Sequence, residues 1–135
     1  MNLTEKAREV FSADRYVSNL GITIEEVQNH SCRCMLHTQE QHSNARGVVM
    51  GGVLFTLADF SAAVAANSDG IATGDLQWVS LDATIHYLSP CPIGTLAADC
   101  TPLKTGRTTA LFQTKIHSLD NGKLVAIVET TMIHV

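Results

Sequence analysis

The stretch Gly51–Gly70, GGVLFTLADFSAAVAANSDG, decides the fold of this chain. Its first sixteen residues are helix-like and almost entirely apolar, and they carry one charged side chain, Asp59. No Lys, Arg or His lies between Gly47 and Ile85, so no cation is close in sequence. An ionised carboxylate taken out of water without a partner costs on the order of several kcal/mol, and a chain keeps one where its chemistry needs it. Asp59 is therefore the first candidate for a functional residue.

The apolar helix also predicts what surrounds it. The run Asn67-Ser68-Asp69-Gly70 is a helix stop signal. A helix that is apolar nearly all round has to be covered on every side. The sequence therefore predicts a curved sheet wrapped around this helix, with help from a second subunit.

The segments on either side of the helix predict strands. Trp78–Leu88 alternates with period two, which predicts Ser80, Asp82, Thr84 and His86 on one face and Val79, Leu81, Ala83, Ile85 and Tyr87 on the other. Three more strands are expected after it, at 96–103, 108–118 and 123–134, with a hairpin turn at 120–122 between the last two. Before the central helix, a helix is expected at 3–13, with Thr4 as its N-cap, and two strands at 21–29 and 31–37. This order predicts an α+β fold in a single domain, residues 1–135.

Composition narrows the class of protein. The formal net charge of −4 argues against nucleic acid as a partner. The start of the chain, MNLTEKAREV, lacks the apolar region of a signal peptide, and no apolar run is long enough to span a membrane, so we expect a cytoplasmic protein without a membrane partner. Cys32 and Cys34 fit no common zinc spacing, so small buried thiols are expected rather than a metal site, and no cofactor is expected.

The residues before and within the helix resemble a known family. The stretch 42–52, HSNARGVVMGG, with Leu57-Ala58-Asp59 after it, is similar to the signature H-x-N-x-x-G-x-x-H-G-G…L-A-D of hotdog-fold thioesterases of the phenylacetic-acid-degradation type. The segments 79–90, 104–108 and 120–125 match further parts of the family pattern in order and spacing. The resemblance covers about the whole chain after its first helix. It implies a hotdog fold, in which a curved antiparallel sheet wraps a long central helix.

The resemblance implies an acyl-CoA thioesterase that hydrolyses an aryl- or short- to medium-chain acyl-CoA. Asp59 would be the general base or the nucleophile, and Gly51 would offer its backbone N–H to the thioester carbonyl. Asn44 and Ser80 would orient the carbonyl or the water. In this family the Asp comes from one subunit and the Gly and Asn from the other. The resemblance therefore implies a homo-oligomer with a dimeric site, and a dimer and a tetramer both stay open.

The resemblance implies the contacts to coenzyme A less directly than the catalytic residues. Gly52 and Met50 adjoin the expected site, and Asn67, Lys104 and Arg107 are candidates for the entrance and for the coenzyme A phosphates. The family's histidine before the two glycines is Met50 here. His42 is retained, as a structural or solvated residue more than a catalytic one.

Two alternatives stay open at this stage. Asp59 can be a structural carboxylate that accepts backbone or hydroxyl hydrogen bonds, with Ser61 or Thr56 near enough in sequence to be suspected as donors. The whole chain can be a non-catalytic hotdog module that binds acyl-CoA as a sensor or carrier, a possibility to which the loss of the family histidine at Met50 lends weight. A hotdog dehydratase is the poorest interpretation, because it needs a histidine in the helix region and residues 43–85 contain none.

Overall fold

A single antiparallel sheet and one long helix form the body of the protein. The computed structural model describes all residues, 1–135. Its elements are α1 Leu3–Phe11, α2 Arg15–Leu20, β1 Thr23–Gln28, β2 Ser31–His37, α3 Gly51–Ala66, β3 Trp78–Tyr87, β4 Thr95–Thr105, β5 Thr109–Ser118 and β6 Leu124–His134. The six strands follow the order β1-β2-β4-β5-β6-β3, with every neighbouring pair antiparallel. The predicted α+β hotdog architecture is confirmed. None of the helices combines the length and the hydrophobicity that crossing a bilayer requires.

Helix α3 packs against the inner face of the sheet and makes the core with it. The helix contributes fully buried side chains such as Leu57 and Val64, and the strands contribute Phe112, Ile116 and Met132. Burial of each large side chain stabilises the fold by about 1.5–3 kcal/mol. The cysteines Cys32, Cys34 and Cys100 lie in the same core as free thiols.

One side of α3 is not covered. Gly52, Phe55 and Asp59 are exposed, and their spacing of three and four residues places them on one stripe of the helix. Within a single chain the sheet therefore covers α3 on its other sides only. The expectation that the helix is enclosed on every side is not met by one chain, and the stripe is the part that a second subunit would have to cover.

The N-terminal region differs from the prediction. Helix α1 is capped by Asn2, whose side chain accepts a hydrogen bond from the Glu5 backbone N–H. Thr4 instead accepts a hydrogen bond from Val27 N–H at 3.0 Å and so ties α1 to β1. The short helix α2 was not predicted, since six residues are too few to show helical periodicity.

Strand β3 contains a bulge that changes which side chains face the helix. Its pairing with β6 passes from Ser80↔Met132 to Asp82↔Thr131, so Leu81 is an extra residue. Ser80 therefore shares the inner face with Ala83, Ile85 and Tyr87, although strict alternation predicted the opposite face. The prediction was wrong because one inserted residue shifts a period of two by one step.

Candidate active site

Asp59 and Ser80 form one part of the candidate site. The Ser80 hydroxyl donates to Asp59 Oδ1 at 3.0 Å, which joins the middle of α3 to the edge strand β3. Thr56 and Ser61 do not reach the carboxylate, because they donate to the carbonyl oxygens of Gly52 and Leu57 at 2.9 and 2.7 Å. The two hydroxyls suspected as partners of a structural Asp59 are therefore not its partners, and the hydroxyl bond that Asp59 accepts comes from Ser80.

The surroundings of Asp59 also differ from the prediction. The carboxylate is exposed in the single chain rather than held away from water. The apolar residues of α3 point into the core, and Asp59 lies on the open stripe of the helix. An apolar setting for Asp59 would have to come from outside this chain.

The start of α3 forms the other part of the candidate site. Helix α3 begins at Gly51, and its N-cap residue, Met50, makes no side-chain capping hydrogen bond. The first N–H groups of a helix have no acceptor within the helix and carry partial positive charge. Gly51 and Gly52 thus present uncapped donors to an incoming oxygen. The Met50 side chain lies beside them and is 54% exposed.

Asn44 stands in the loop before α3 with a defined orientation. Its Oδ1 accepts hydrogen bonds from the backbone N–H groups of Arg46 at 2.9 Å and Val48 at 3.4 Å. Its Nδ2 donates no hydrogen bond within the chain. Because the loop uses the oxygen, the group that Asn44 can offer to a ligand is an N–H donor.

A cavity of about 330 Å³ brings Asn44 and Gly51 together. The polar and reactive side chains around it were not all foreseen from the sequence; they include Arg46, Tyr87, Ser89 and Cys91. Burial raises the pKa of the Cys91 thiol to about 11. The thiol is thus protonated near neutral pH and is a poor nucleophile. The raised pKa argues against Cys91 as a nucleophile at this cavity.

His42 supports the same loop. It is buried, its Nδ1 accepts a hydrogen bond from Gln39 N–H at 2.8 Å, and its carbonyl accepts one from Met50 N–H at 2.9 Å. The imidazole is used inside the loop and does not line the cavity. The structure thus favours the structural alternative for His42.

The two parts of the site are far apart within one chain. Asp59 follows Gly51 by eight residues on the same helix. At 1.5 Å per residue this is roughly 12 Å along the helix axis, too far for both to contact one thioester group. One chain therefore carries two separate half-sites: a donor half-site at Asn44 and Gly51, and a carboxylate half-site at Asp59 and Ser80.

Arg107 borders a second cavity, of about 460 Å³. Trp78 and the His30–Asp69 pair, with 3.0 Å between Nε2 and Oδ2, line the same space. Arg107 is exposed and forms no ion pair, so its charge is free for a ligand. Trp78 precedes Ser80 by two residues on the same strand face, which puts this cavity next to the carboxylate half-site.

Lys104 and Asn67 do not join Arg107. The pairing of β4 with β5 shifts between Pro102 and Lys104, and Lys104 lies opposite Leu111 on the outer face of the sheet. Asn67 is 3% exposed, and its side chain bonds the backbone of Trp78 through both its oxygen, at 2.9 Å, and its nitrogen, at 3.0 Å. These hydrogen bonds of Asn67 link the end of α3 to β3. Because they occupy its side chain, they argue against the predicted role of Asn67 in ligand binding.

Tyr87 is a neighbour of Gly51 whose contact with that residue the sequence did not reveal. Its hydroxyl donates to the Gly51 carbonyl at 3.1 Å, and its ring borders the cavity of the donor half-site. The only sequence signal was its place in an alternating strand. The bulge at Leu81 obscures even that signal, because it changes the face on which the later residues lie.

Known proteins are similar to this chain in sequence and fold. Residues 46–125 match the family described as the thioesterase superfamily. The chain is 31% identical over 132 residues to human acyl-coenzyme A thioesterase 13, covering 93% of this chain and 91% of that protein. It is 30% identical over 102 residues to the putative esterase F42H10.6 of Caenorhabditis elegans, covering 75% of this chain but only 59% of that protein.

A solved structure agrees with these matches. The E. coli PaaI protein, from the phenylacetic acid degradation operon, superposes with a TM-score of 0.84 at 27% identity, covering 99% of this chain and 96% of that one. The family match spans more than half of the chain and contains Gly51, Asp59 and Ser80. The chain therefore belongs to the thioesterase superfamily and is a thioester hydrolase.

Proposed function

We propose that this protein hydrolyses acyl-CoA thioesters to the free acid and coenzyme A, with an aryl or a short- to medium-chain acyl group. The observation that carries the proposal is the presence, in one chain, of two complementary half-sites. One offers N–H donors for a carbonyl oxygen and the other offers a carboxylate. The acyl-CoA substrate is supported by the name of the human relative, and the aryl group by the operon of the E. coli structural neighbour.

The complete site in this proposal lies between two copies of the chain. The open stripe of α3 carries Gly52, Phe55 and Asp59, so it runs past both half-sites. A two-fold axis that packs this stripe against its copy in antiparallel orientation brings the Asp59 of each chain towards the Gly51 of the other. It also covers both carboxylates, which removes them from bulk water. Pairing of two such dimers would give a tetramer.

The edge strand β3 supports the same assembly. Strand β3 pairs with β6 only, so one row of its backbone groups is unpaired. Val79 and Leu81 beside that edge are 46% and 57% exposed. An exposed apolar edge strand is a site at which another chain adds. Two β3 edges joined across a dimer axis would continue the sheet from one copy to the next.

The chemistry follows from the half-sites. The thioester carbonyl oxygen accepts hydrogen bonds from the Gly51 N–H and the Asn44 amide, which stabilise the oxyanion as it forms. Asp59 from the other chain acts as general base and removes a proton from the attacking water, or it attacks the carbonyl carbon and forms an anhydride that water then opens. In both routes the carbon–sulfur bond breaks, coenzyme A leaves as the thiolate, and the acid is released. Ser80 holds Oδ1 of Asp59, which leaves Oδ2 for the reaction.

Binding of the coenzyme A moiety is assigned to the surroundings of both half-sites. Arg107 supplies a free cation for its phosphates, while Lys104 points to the opposite face of the sheet. Met50 and Gly52 border the thioester end of the site. Met50 offers an apolar surface in place of the family's imidazole, and the N–H groups of Gly51 and Gly52 do not depend on that side chain.

Thiol release from a panel of acyl-CoA substrates tests this function. Asp59→Asn should lower kcat by about 10²- to 10⁴-fold, the range that general base catalysis supplies. Asp75→Asn, a change of an exposed carboxylate in the loop after α3, is the matched control and should keep the wild-type rate. Turnover of no acyl-CoA, or full activity of Asp59→Asn, would overturn the proposal.

The second candidate is a non-catalytic module that binds acyl-CoA, which Met50 in place of the family's histidine favours. Calorimetric titration with a non-hydrolysable acyl-CoA analogue separates the two. Tight binding without hydrolysis of any thioester supports the binding module. Binding together with turnover that depends on Asp59 supports the enzyme.

A further inference from the structure

Tyr87 makes a close and specific contact with the first residue of α3. Its Oη donates to the Gly51 carbonyl oxygen at 3.1 Å. A Cβ added to Gly51 would lie 2.9 Å from Cζ of the Tyr87 ring, closer than side chains tolerate. The ring therefore lies against Gly51, and the Tyr87 hydroxyl binds the carbonyl of the Gly51–Gly52 peptide.

The start of α3 needs such support. Gly51 and Gly52 open the helix, and glycine has more backbone freedom than any other residue. Met50 provides no side-chain cap, although its carbonyl accepts hydrogen bonds from Val53 N–H at 3.0 Å and Leu54 N–H at 3.4 Å. These two bonds hold the peptide between Met50 and Gly51, which carries the Gly51 N–H. The next peptide, between Gly51 and Gly52, has its side-chain support from Tyr87.

The backbone of Tyr87 is itself held by the pairing of β3 with β6. It pairs with Ala126 of β6, and the next residue, Leu88, donates its N–H to Val125 O at 2.9 Å. Its ring remains 54% exposed and borders the cavity of Asn44 and Gly51. The side chain thus links the rigid sheet to the donor half-site without filling the cavity.

The position of an oxyanion-binding N–H donor affects the rate of the reaction. A hydrogen bond to a developing oxyanion accelerates the reaction only when the donor is already aimed at the place where the charge appears. A displacement of about 1 Å can cost on the order of 10²-fold in rate. A group that fixes the donor affects the transition state more than the bound substrate, so it changes kcat more than KM.

We propose that Tyr87 is a positioning residue for thioester hydrolysis: its hydroxyl binds the carbonyl of the Gly51–Gly52 peptide and its ring lies against Gly51, so that the backbone of Gly51 is fixed with its N–H pointing at the thioester carbonyl oxygen. This inference rests on the proposed function. It adds a residue that acts through Gly51 and does not take part in bond making. It also accounts for glycine at position 51, because any side chain there would displace the Tyr87 ring.

The test uses the full-length protein with Tyr87→Phe, which removes only the hydroxyl. Tyr16→Phe is the matched control, because Tyr16 is the other tyrosine of the chain and is 67% exposed on α2. Loss of one neutral hydrogen bond predicts that Tyr87→Phe lowers kcat by about 3- to 10-fold while KM stays within about twofold. Tyr87→Leu, which also removes the ring, should lower kcat further. Tyr16→Phe should match the wild type.

Amide hydrogen exchange measured by NMR gives a readout that does not depend on activity. Exchange at Val53 and Leu54, whose N–H groups bond the Met50 carbonyl at the start of α3, should become faster by about 3- to 10-fold in Tyr87→Phe, with no change in the later turns of α3. Unchanged exchange at both residues overturns the inference. So does a change in KM alone, or an equal loss of kcat in Tyr16→Phe. A wild-type protein that hydrolyses no acyl-CoA defeats the proposed function instead, and faster exchange at Val53 and Leu54 would then still show the anchoring contact.

Discussion

The two half-sites are built in different ways. The donor half-site is finished within the chain: loop hydrogen bonds orient Asn44, and the helix start and Tyr87 hold Gly51. The carboxylate half-site is unfinished, because Asp59 has one hydroxyl partner and an open side. Backbone donors can be aimed by local structure, whereas a carboxylate gains an apolar environment only from surfaces packed around it. In the proposed dimer, the second copy of the chain would therefore be needed mainly to enclose Asp59.

Mixing two inactive variants tests this difference most strongly. Asp59→Asn and Asn44→Ala damage opposite half-sites, and each alone should lose about 10²-fold or more of kcat. Random exchange of subunits makes half of the dimers mixed, and each mixed dimer has one intact site, so about a quarter of the wild-type activity should return. Thiol release after co-refolding measures it. No recovery, with mixed dimers demonstrated by a mass tag, would mean that one chain holds the whole site.

Substitution of the first helix residue tests the donor half-site. Gly51→Ala places a methyl group 2.9 Å from the Tyr87 ring, so the ring or the helix start has to move. We expect kcat to fall by about 10- to 100-fold, as misplacement of a catalytic group does. In Gly52→Ala the added methyl meets nothing within 4 Å in its own chain and leaves the Tyr87 contact intact, so the loss should be smaller. Steady-state kinetics of both variants checks this, and equal losses would contradict the role given to the Tyr87 contact.

The smallest effect is expected outside both half-sites, in the binding of coenzyme A. Arg107→Ala should raise KM by about 3- to 10-fold with kcat unchanged, the loss expected for one charge-assisted contact to a phosphate. Lys104→Ala is the matched control, since this cation lies on the outer face of the sheet. Substrates with and without the nucleotide part of coenzyme A separate the contributions. If both variants raise KM equally, the cavity beside Trp78 is not the binding place.

The elements that could be predicted from the sequence are those with strong local sequence patterns. The central helix, four strands after it and the segment from Asn44 to Asp59 follow from periodicity, stop signals and motif spacing. The sequence did not reveal the bulges at Leu81 and Leu103, because an extra residue in a ladder depends on the partner strand. These bulges decide that Ser80 meets Asp59 and that Lys104 turns away from Arg107.

Asn67 and Tyr87 were misjudged or overlooked for a related reason. Each makes a hydrogen bond to the backbone of a residue that is distant in sequence: Asn67 to Trp78, and Tyr87 to Gly51. Residue type alone shows that Asn67 and Tyr87 can form hydrogen bonds. The partner is fixed only when α3 and β3 have packed together.

The bulge at Leu81 has a consequence for both half-sites. In a regular strand, residues 80 and 87 lie on opposite faces because they are separated by an odd number of steps. Without the extra residue, β3 could turn Ser80 towards Asp59 or Tyr87 towards Gly51, but never both. The extra residue Leu81 shifts the in-and-out alternation of the strand by one position. One edge strand can therefore contact both Asp59 and Gly51 of the same helix.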